Sequence, residues 1–442
     1  MRIQPAERTK GVQEYYFSRK QKDLDAVSAE RAAKGLGPLI NLGIGAPDGM
    51  PPQAAIDTLG KVAQATDSHK YQNYKGLPVL RQAFADWYTR YYGVTLNPNG
   101  GIQPLVGSKE GILLISLAFV NLGDVVLVPD PGYPTYSSTV NLVGGKVQKY
   151  DLKEENGWLP DFDQLDNMDL SKAKLMWVNY PNMPTGAKAT PELYQRLVDF
   201  ALKHNILLVN DNPYSFILTD KPISIFSAEG SWDCCLELNS LSKAHNMSGW
   251  RVGMVAGDPV MVNEILKVKS QMDSGMFKAM QIAAVEALAQ GPEWFETLNA
   301  EYRRRREAAG RIFDALGVKY NPDSAGLFLW GKVVGTACPD GETTATLGML
   351  RGRGPSGRGR EATVGEEAPS SATPAAALAV GEETPAPAAP APLGSNSAKD
   401  SPGAPMTITL VRTGISSPSL KKQARTVPST LASSSKEALS VS

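Results

Sequence analysis

In the stretch NSLSKAHNMSGWRVGMVAG (239–257), Ser240 and Ser242 stand just ahead of Lys243, and Gly249, Arg251 and Gly253 follow it. The residues before it, CCLELN, are apolar and strand-like, so Lys243 falls where a buried strand runs out into a loop. A lysine at the edge of a buried site holds its proton less tightly and can attack a carbonyl carbon to form a Schiff base. Any single lysine is more often a solvated surface group; its neighbours at fixed spacing argue for chemistry here. Two hydroxyls and a guanidinium suit a phosphate dianion, and the glycines let backbone approach it closely.

Other polar residues fall at similar places. In VGSKEGILLISLAF (106–119), Gly107, Ser108 and Lys109 precede a long helical pattern. Amides and dipole at a helix start favour an anion, although Gly-Ser is also an ordinary cap. Asp211 ends the run ILLVND, and Tyr214 follows three residues later. A buried carboxylate needs a cationic partner. A protonated pyridine nitrogen would be one; an Asx-turn opening the NPY loop is the alternative. Tyr133 in PDPGYPTY either stacks on a planar ring or packs its own loop. NYPNMPTG (179–186) and YQNYKGLPVLR (71–81) read locally as turns leading out of a strand and into a helix.

The elements that must carry these residues alternate. Apolar runs at 124–130, 174–181, 206–214 and 234–243 are separated by helical patterns at 77–92, 110–123 and 191–205. Continuous apolar strands between amphipathic helices predict an α/β fold with a mostly parallel sheet covered on both faces. Ligands of such sheets bind beyond the carboxyl ends of the strands. The polar strand ends therefore belong to one neighbourhood.

Taken in chain order, the tyrosine before G-LP-LR, the Gly-Ser at a helix start, the aromatic in a Pro-Gly loop, the P-T-G turn, D-x-x-Y and S-x-S-K-x₅-G-x-R-x-G resemble fold-type I pyridoxal-phosphate (PLP) enzymes of the class I/II aminotransferase family. The resemblance spans roughly residues 30–335 and is nearest to the alanine and LL-diaminopimelate aminotransferase-like branch. It implies a large PLP-binding domain of the aspartate-aminotransferase type with a smaller, incomplete α+β domain. By the same resemblance, Lys243 forms the Schiff base and then serves as base and acid for the α-proton. Asp211 pairs with the pyridinium nitrogen, Tyr214 hydrogen-bonds the ring oxygen and Tyr133 stacks on the ring. Ser108, Lys109, Ser240, Ser242 and Arg251 hold the phosphate. Tyr71 reaches the phosphate of a neighbouring subunit, which implies a homodimer with shared sites. In NLGIGAPD (41–48), Ile44 and Gly45 touch the substrate.

Two positions depart from the family pattern. Where the family has N-P-T-G, this chain has Met183, with Asn182 beside it; either Asn182 turns inward or Tyr214 carries the ring oxygen alone. The arginine that grips the substrate carboxylate is not legible after SAGLFLWGK; Arg412 in TLVRTG is the candidate, against an exposed tail residue. The implied organisation is an N-terminal segment 1–49, a large domain 50–290, a partial small domain 291–337 and a low-complexity, largely disordered tail 338–442.

All 33 aromatic residues lie at or before Trp330, and the chain then turns to Gly, Pro, Ala, Ser and Thr. Such a composition cannot bury enough apolar surface to offset its ordering entropy. It is either a genuine extension or translation out of frame of a GC-rich gene, with 406–415 the one later strand-like stretch. Lys+Arg and Asp+Glu both count 45, so no global field points to nucleic acid or an anionic membrane. No apolar run reaches bilayer length and the N-terminus lacks a secretory pattern. Three cysteines make no disulfide framework, which favours a reducing cytoplasm. YRRRRE (302–307) is a solvated helix face, and RGRGPSGRGR (351–360) has no aromatics to stack on bases. His69, His204 and His245 are too scattered for a metal site. The expected activity is PLP-dependent transfer of an amino group between an α-amino acid and a 2-oxo acid. The alternatives are a catalytically impaired homologue that still binds cofactor, and a PLP-dependent lyase or decarboxylase.

Overall fold

The computed structural model describes residues 3–333 except 11–13, 15, 38, 40 and 44. Downstream it describes only the strand segments 343–348, 350–351, 362–363, 407–408 and 425–426. Seven strands form the main sheet: β1 (Ile102–Leu105), β2 (Val125–Asp130), β3 (Lys146–Asp151), β4 (Ala173–Val178), β5 (Leu207–Asp211), β6 (Cys235–Ser240) and β7 (Gly253–Gly257). Their order is β1-β7-β6-β5-β4-β2-β3. All neighbours from β6 to β3 are parallel, and β7 alone runs against the others.

The strands are apolar throughout because both faces are covered. Side chains alternate between two cores, as the two-residue period of a strand requires. Val126, Val128, Leu175, Trp177, Val209, Leu236 and Leu238 face the helices Ser108–Phe119, Thr135–Val143 and Pro259–Lys269. Leu127, Met176, Val178, Leu208 and Met254 face the helices Pro78–Tyr92, Pro191–His204 and Lys278–Leu288. Each fully buried aliphatic side chain contributes about 1.5–3 kcal/mol. Helix ends carry local signals: the Thr190 side chain accepts from Leu193 N–H ahead of Pro191, and Asn205 ends that helix in the left-handed conformation.

A second, antiparallel sheet pairs β8 (Val318–Tyr320) and β10 (Thr343–Gly348) with the two edges of β9 (Phe328–Val333). The long helix Pro292–Leu316 packs on it through Phe313, which meets Val318 and Leu329. The α/β class, with a mostly parallel sheet and a smaller α+β unit, is as expected from sequence. By sequence only 406–415 is strand-like beyond residue 338, whereas Thr343–Gly348 also forms a strand; its branched threonines favour extended backbone. The rest of the 338–442 stretch, apart from the short strand segments, lies outside the described residues. Among the described residues no helix is long and apolar enough to cross a membrane.

This topology fixes where the polar loops meet. β2, β4, β5 and β6 are mutually aligned, so the residues after Asp130, Val178, Asp211 and Ser240 emerge at one edge. β7 runs the other way, and Gly253, its first residue, is paired with Ser240 and with Leu105 at the end of β1. Arg251 and the 106–108 loop therefore reach the same edge.

Candidate active site

Asp211 closes β5 and is buried. Its Oδ2 accepts from the Tyr136 hydroxyl at 2.9 Å, and its Oδ1, also buried, has no partner among the described residues. Burial pushes the carboxyl up to about 7, against the lowering influence of the Tyr136 hydrogen bond and the Lys243 charge. Tyr136 is fixed in turn by a stacked contact on Trp177, with ring centroids 4.9 Å apart and planes 6° from parallel. Asn179 donates to the Asp211 carbonyl at 2.6 Å and accepts from Met183 N–H at 2.8 Å, so the 179–186 turn is tied to the end of β5.

Lys243 follows β6 in the short helix Leu241–Ala244. Its Nζ donates to the Gly45 carbonyl at 2.7 Å, joining two segments 198 residues apart. Burial brings the amine down to about 8; the Arg251 charge adds to the lowering and Asp211 opposes it. The ammonium also faces the Tyr214 ring at 6.0 Å. Lys243 is thus a half-buried amine within electrostatic reach of the buried Asp211 carboxyl.

Beside it lies a cradle of backbone amides, hydroxyls and one guanidinium. Gly107 takes φ 77 and ψ 158 ahead of the helix Ser108–Phe119. A β-carbon there would come 2.1 Å from Arg251 Nη2, so the guanidinium lies directly over the loop backbone. A β-carbon on Gly253 would come 2.9 Å from Ser108 N, which is why both positions take glycine. Arg251 Nη1 donates to the Ser242 hydroxyl at 3.3 Å and to the Ser248 carbonyl at 2.8 Å, and Arg251 itself sits at φ 56. Ser240 is buried at the end of β6, Ser108 is half-buried and Lys109 is exposed.

The remaining candidates divide. Tyr133 is half-buried and meets Tyr136 edge-on at 5.6 Å. Tyr214 and Met183 share an apolar cluster with Leu218, Leu298 and Leu327, against which Tyr133 packs. Asn182 is buried; its Oδ1 accepts from the Thr185 hydroxyl at 2.7 Å, and its Nδ2 has no partner among the described residues. Tyr71 is 90% exposed. Gly45 lies under Phe328, whose ring a β-carbon would strike at 2.0 Å. Ile44 and Arg412 lie outside the described residues. Two residues beside Asp211 escape the sequence analysis. Tyr136 sits in the quoted PDPGYPTY, but nothing local separates it from Tyr133; Asn179 opens NYPNMPTG and reads as a turn residue.

The arrangement fits PLP on its own geometry. Asp211 Oδ1 is a buried acceptor awaiting a cationic donor, Lys243 is an amine with depressed basicity, and the Gly107–Arg251 cradle matches a phosphate. The sequence pattern of the family described as "Aminotransferase class I and II" matches residues 37–340. An LL-diaminopimelate aminotransferase of Nitratidesulfovibrio vulgaris is 41% identical over 313 residues, which cover 70% of this chain and 80% of that protein. One from Aquifex aeolicus is 40% identical over 342 residues, covering 77% and 86%. Among solved structures, substrate-bound BacF from Bacillus subtilis superposes with a TM-score of 0.72 at 31% identity, covering 79% of this chain and 94% of that one. An aspartate aminotransferase mutant of Thermus thermophilus gives 0.68 at 26% identity, covering 74% and 85%.

Proposed function

The chain belongs to the class I and II aminotransferases, and from that premise we propose which of its residues carry the PLP-dependent transfer of an amino group between an amino acid and an oxo acid. The observation that supports the assignment most is that Lys243, its amine brought down to about 8, and the buried Asp211 follow neighbouring parallel strands at one edge of the sheet, within each other's electrostatic reach.

Lys243 Nζ holds the cofactor and then takes and returns the proton at the substrate α-carbon. A pKa near the working pH serves both directions of that transfer. Asp211, oriented by Tyr136 on one oxygen, keeps its second oxygen for the ring nitrogen. When bound, PLP supplies the electron sink for the charge left on the α-carbon. Tyr133 would lie against the ring and Tyr214 would donate to its oxygen, with Asn182 Nδ2 as a second donor and Met183, in the Tyr214 cluster, as an apolar wall. The amides of Ser108 and Lys109, the hydroxyls of Ser240 and Ser242 and the Arg251 guanidinium would hold the phosphate. Ile44 and Gly45 border the substrate, and Arg412 is the candidate for its carboxylate.

The working unit is a homodimer in the cytoplasm. Tyr71, at 90% exposure, is the residue we assign to a neighbour's phosphate, and the buried Cys234 and Cys235 are both free thiols. The boundaries 1–49, 50–290 and 291–337 remain our division of the chain around this site. The test is a panel of amino donors, headed by LL-diaminopimelate because of the relatives' names, mixed in single turnover with cofactor-loaded protein. Conversion of the cofactor absorbance to the amine form by one donor, with the matching oxo acid released, supports the reading. An unchanged spectrum with every donor leaves the catalytically impaired alternative; ammonia or CO₂ without oxo acid leaves the lyase or decarboxylase.

A further inference from the structure

The loop that carries Gly107 is held from behind by a buried ammonium. Lys269 ends the helix Pro259–Lys269, and its side chain is 1% exposed. Its Nζ lies 3.0 and 3.2 Å from the two carboxylate oxygens of Glu110 and also donates to Asp273 Oδ2. An ammonium is retained at such depth only when paired and hydrogen-bonded. Both partners do further work on the backbone. Glu110 Oε2 accepts the Val106 N–H at 2.6 Å, one residue before Gly107. Asp273 Oδ1 accepts the Gly275 N–H at 3.2 Å. Gly275 takes φ +88, and a β-carbon there would come 2.5 Å from the Gln72 carbonyl oxygen. The 273–275 turn therefore lies directly against the residue that follows Tyr71.

We propose that Lys269 is a positioning residue for the cofactor phosphate. Through Glu110 it fixes the 106–108 loop that lines this chain's own cradle. Through Asp273 it fixes the turn beneath the Tyr71 segment offered to the neighbouring subunit. One buried ammonium thus sets two segments that meet phosphate, and it touches neither cofactor nor substrate. The inference rests on the phosphate assignments of the preceding section.

Binding of pyridoxal 5′-phosphate and of pyridoxal, which lacks the phosphate, tests it. Both are titrated by absorbance into cofactor-depleted, full-length protein. The variants are Lys269→Met and the charge-free Glu110→Gln/Lys269→Met/Asp273→Asn, which leaves no carboxylate stranded without its cation. Losing the set geometry of a charge-assisted contact is expected to weaken pyridoxal 5′-phosphate about tenfold or more, with pyridoxal within about twofold. A merely structural role weakens both alike, and that result, or no change in either, overturns the proposal. Should the unaltered protein show no preference for the phosphorylated compound, the phosphate assignments themselves fail and the inference falls with them. A preference that survives both variants removes the role of Lys269 alone.

Discussion

The Tyr136 hydroxyl donates to Asp211 Oδ2 at 2.9 Å, while Asp211 Oδ1, equally enclosed, has no partner among the described residues. A carboxyl so placed is oriented by one oxygen and open at the other. In the cofactor-free protein the burial cost is met by protonation rather than pairing, and the carboxyl rises to about 7.

That shift has a sign in stability. The folded carboxyl keeps its proton up to about 7, while the unfolded chain releases it near 3.8. Between those values the folded state binds more protons, so stability is present at low pH and lost as pH rises through about 7. Cofactor-free protein should lose on the order of 4 kcal/mol from this group across that window. Asp211→Asn should remove that slope. Urea unfolding of both proteins at pH 4 to 8 measures the difference; parallel pH profiles would refute the burial assigned to Asp211.

Replacing Tyr136 by phenylalanine keeps the ring on Trp177 and removes only the donor. A hydrogen bond to a charged group contributes about 1.5–3 kcal/mol, so pyridoxal 5′-phosphate binding should weaken roughly tenfold or more, and the buried carboxyl left without its donor should cost about 1–3 kcal/mol of folding stability. Equilibrium titration by absorbance checks this, and an unaltered dissociation constant would count against Tyr136 as the residue that orients Asp211.

The strand-end candidates of this proposed site are legible in sequence because strand ends announce themselves. Asp211, Ser240 and Lys243 each follow a continuous apolar run, and a parallel sheet gathers such ends at one edge. Tyr136 and Asn179 were not legible, because their roles depend on which strand lies beside which. The reversed strand β7 was missed for a related reason: Gly253–Gly257 is short, and its direction is fixed by pairing with Ser240 and Leu105 rather than by any local pattern. The Glu110–Lys269 pair joins residues 159 apart, and each alone reads as an ordinary helix charge.

Gly107→Ala should damage the cradle twice. The conformation at φ 77 and ψ 158 is open essentially to glycine alone, so strain of about 1–3 kcal/mol is expected. The new methyl also meets Arg251 Nη2 at 2.1 Å and must displace it. Gly93→Ala is the control, with φ +68 and open space around it. Thermal unfolding should show both variants destabilised, and only Gly107→Ala should lose affinity for pyridoxal 5′-phosphate. Equal affinities in the two variants would separate Arg251 from phosphate binding.

Cofactor capture should depend on pH through Lys243. Only the neutral amine attacks a carbonyl, and its proton leaves near 8. Stopped-flow capture of pyridoxal 5′-phosphate by cofactor-free protein should therefore accelerate as pH rises and level off above about 8. A rate still climbing in proportion to hydroxide at pH 10 would mean an unperturbed lysine.

The most direct test is to reduce the cofactor-loaded protein with borohydride, digest it and locate the modified lysine by mass spectrometry. The pyridoxyl group should appear on Lys243 alone, and Lys243→Ala should carry none. A label on any other lysine, or an equal label on the Lys243→Ala protein, would contradict the assignment of this site.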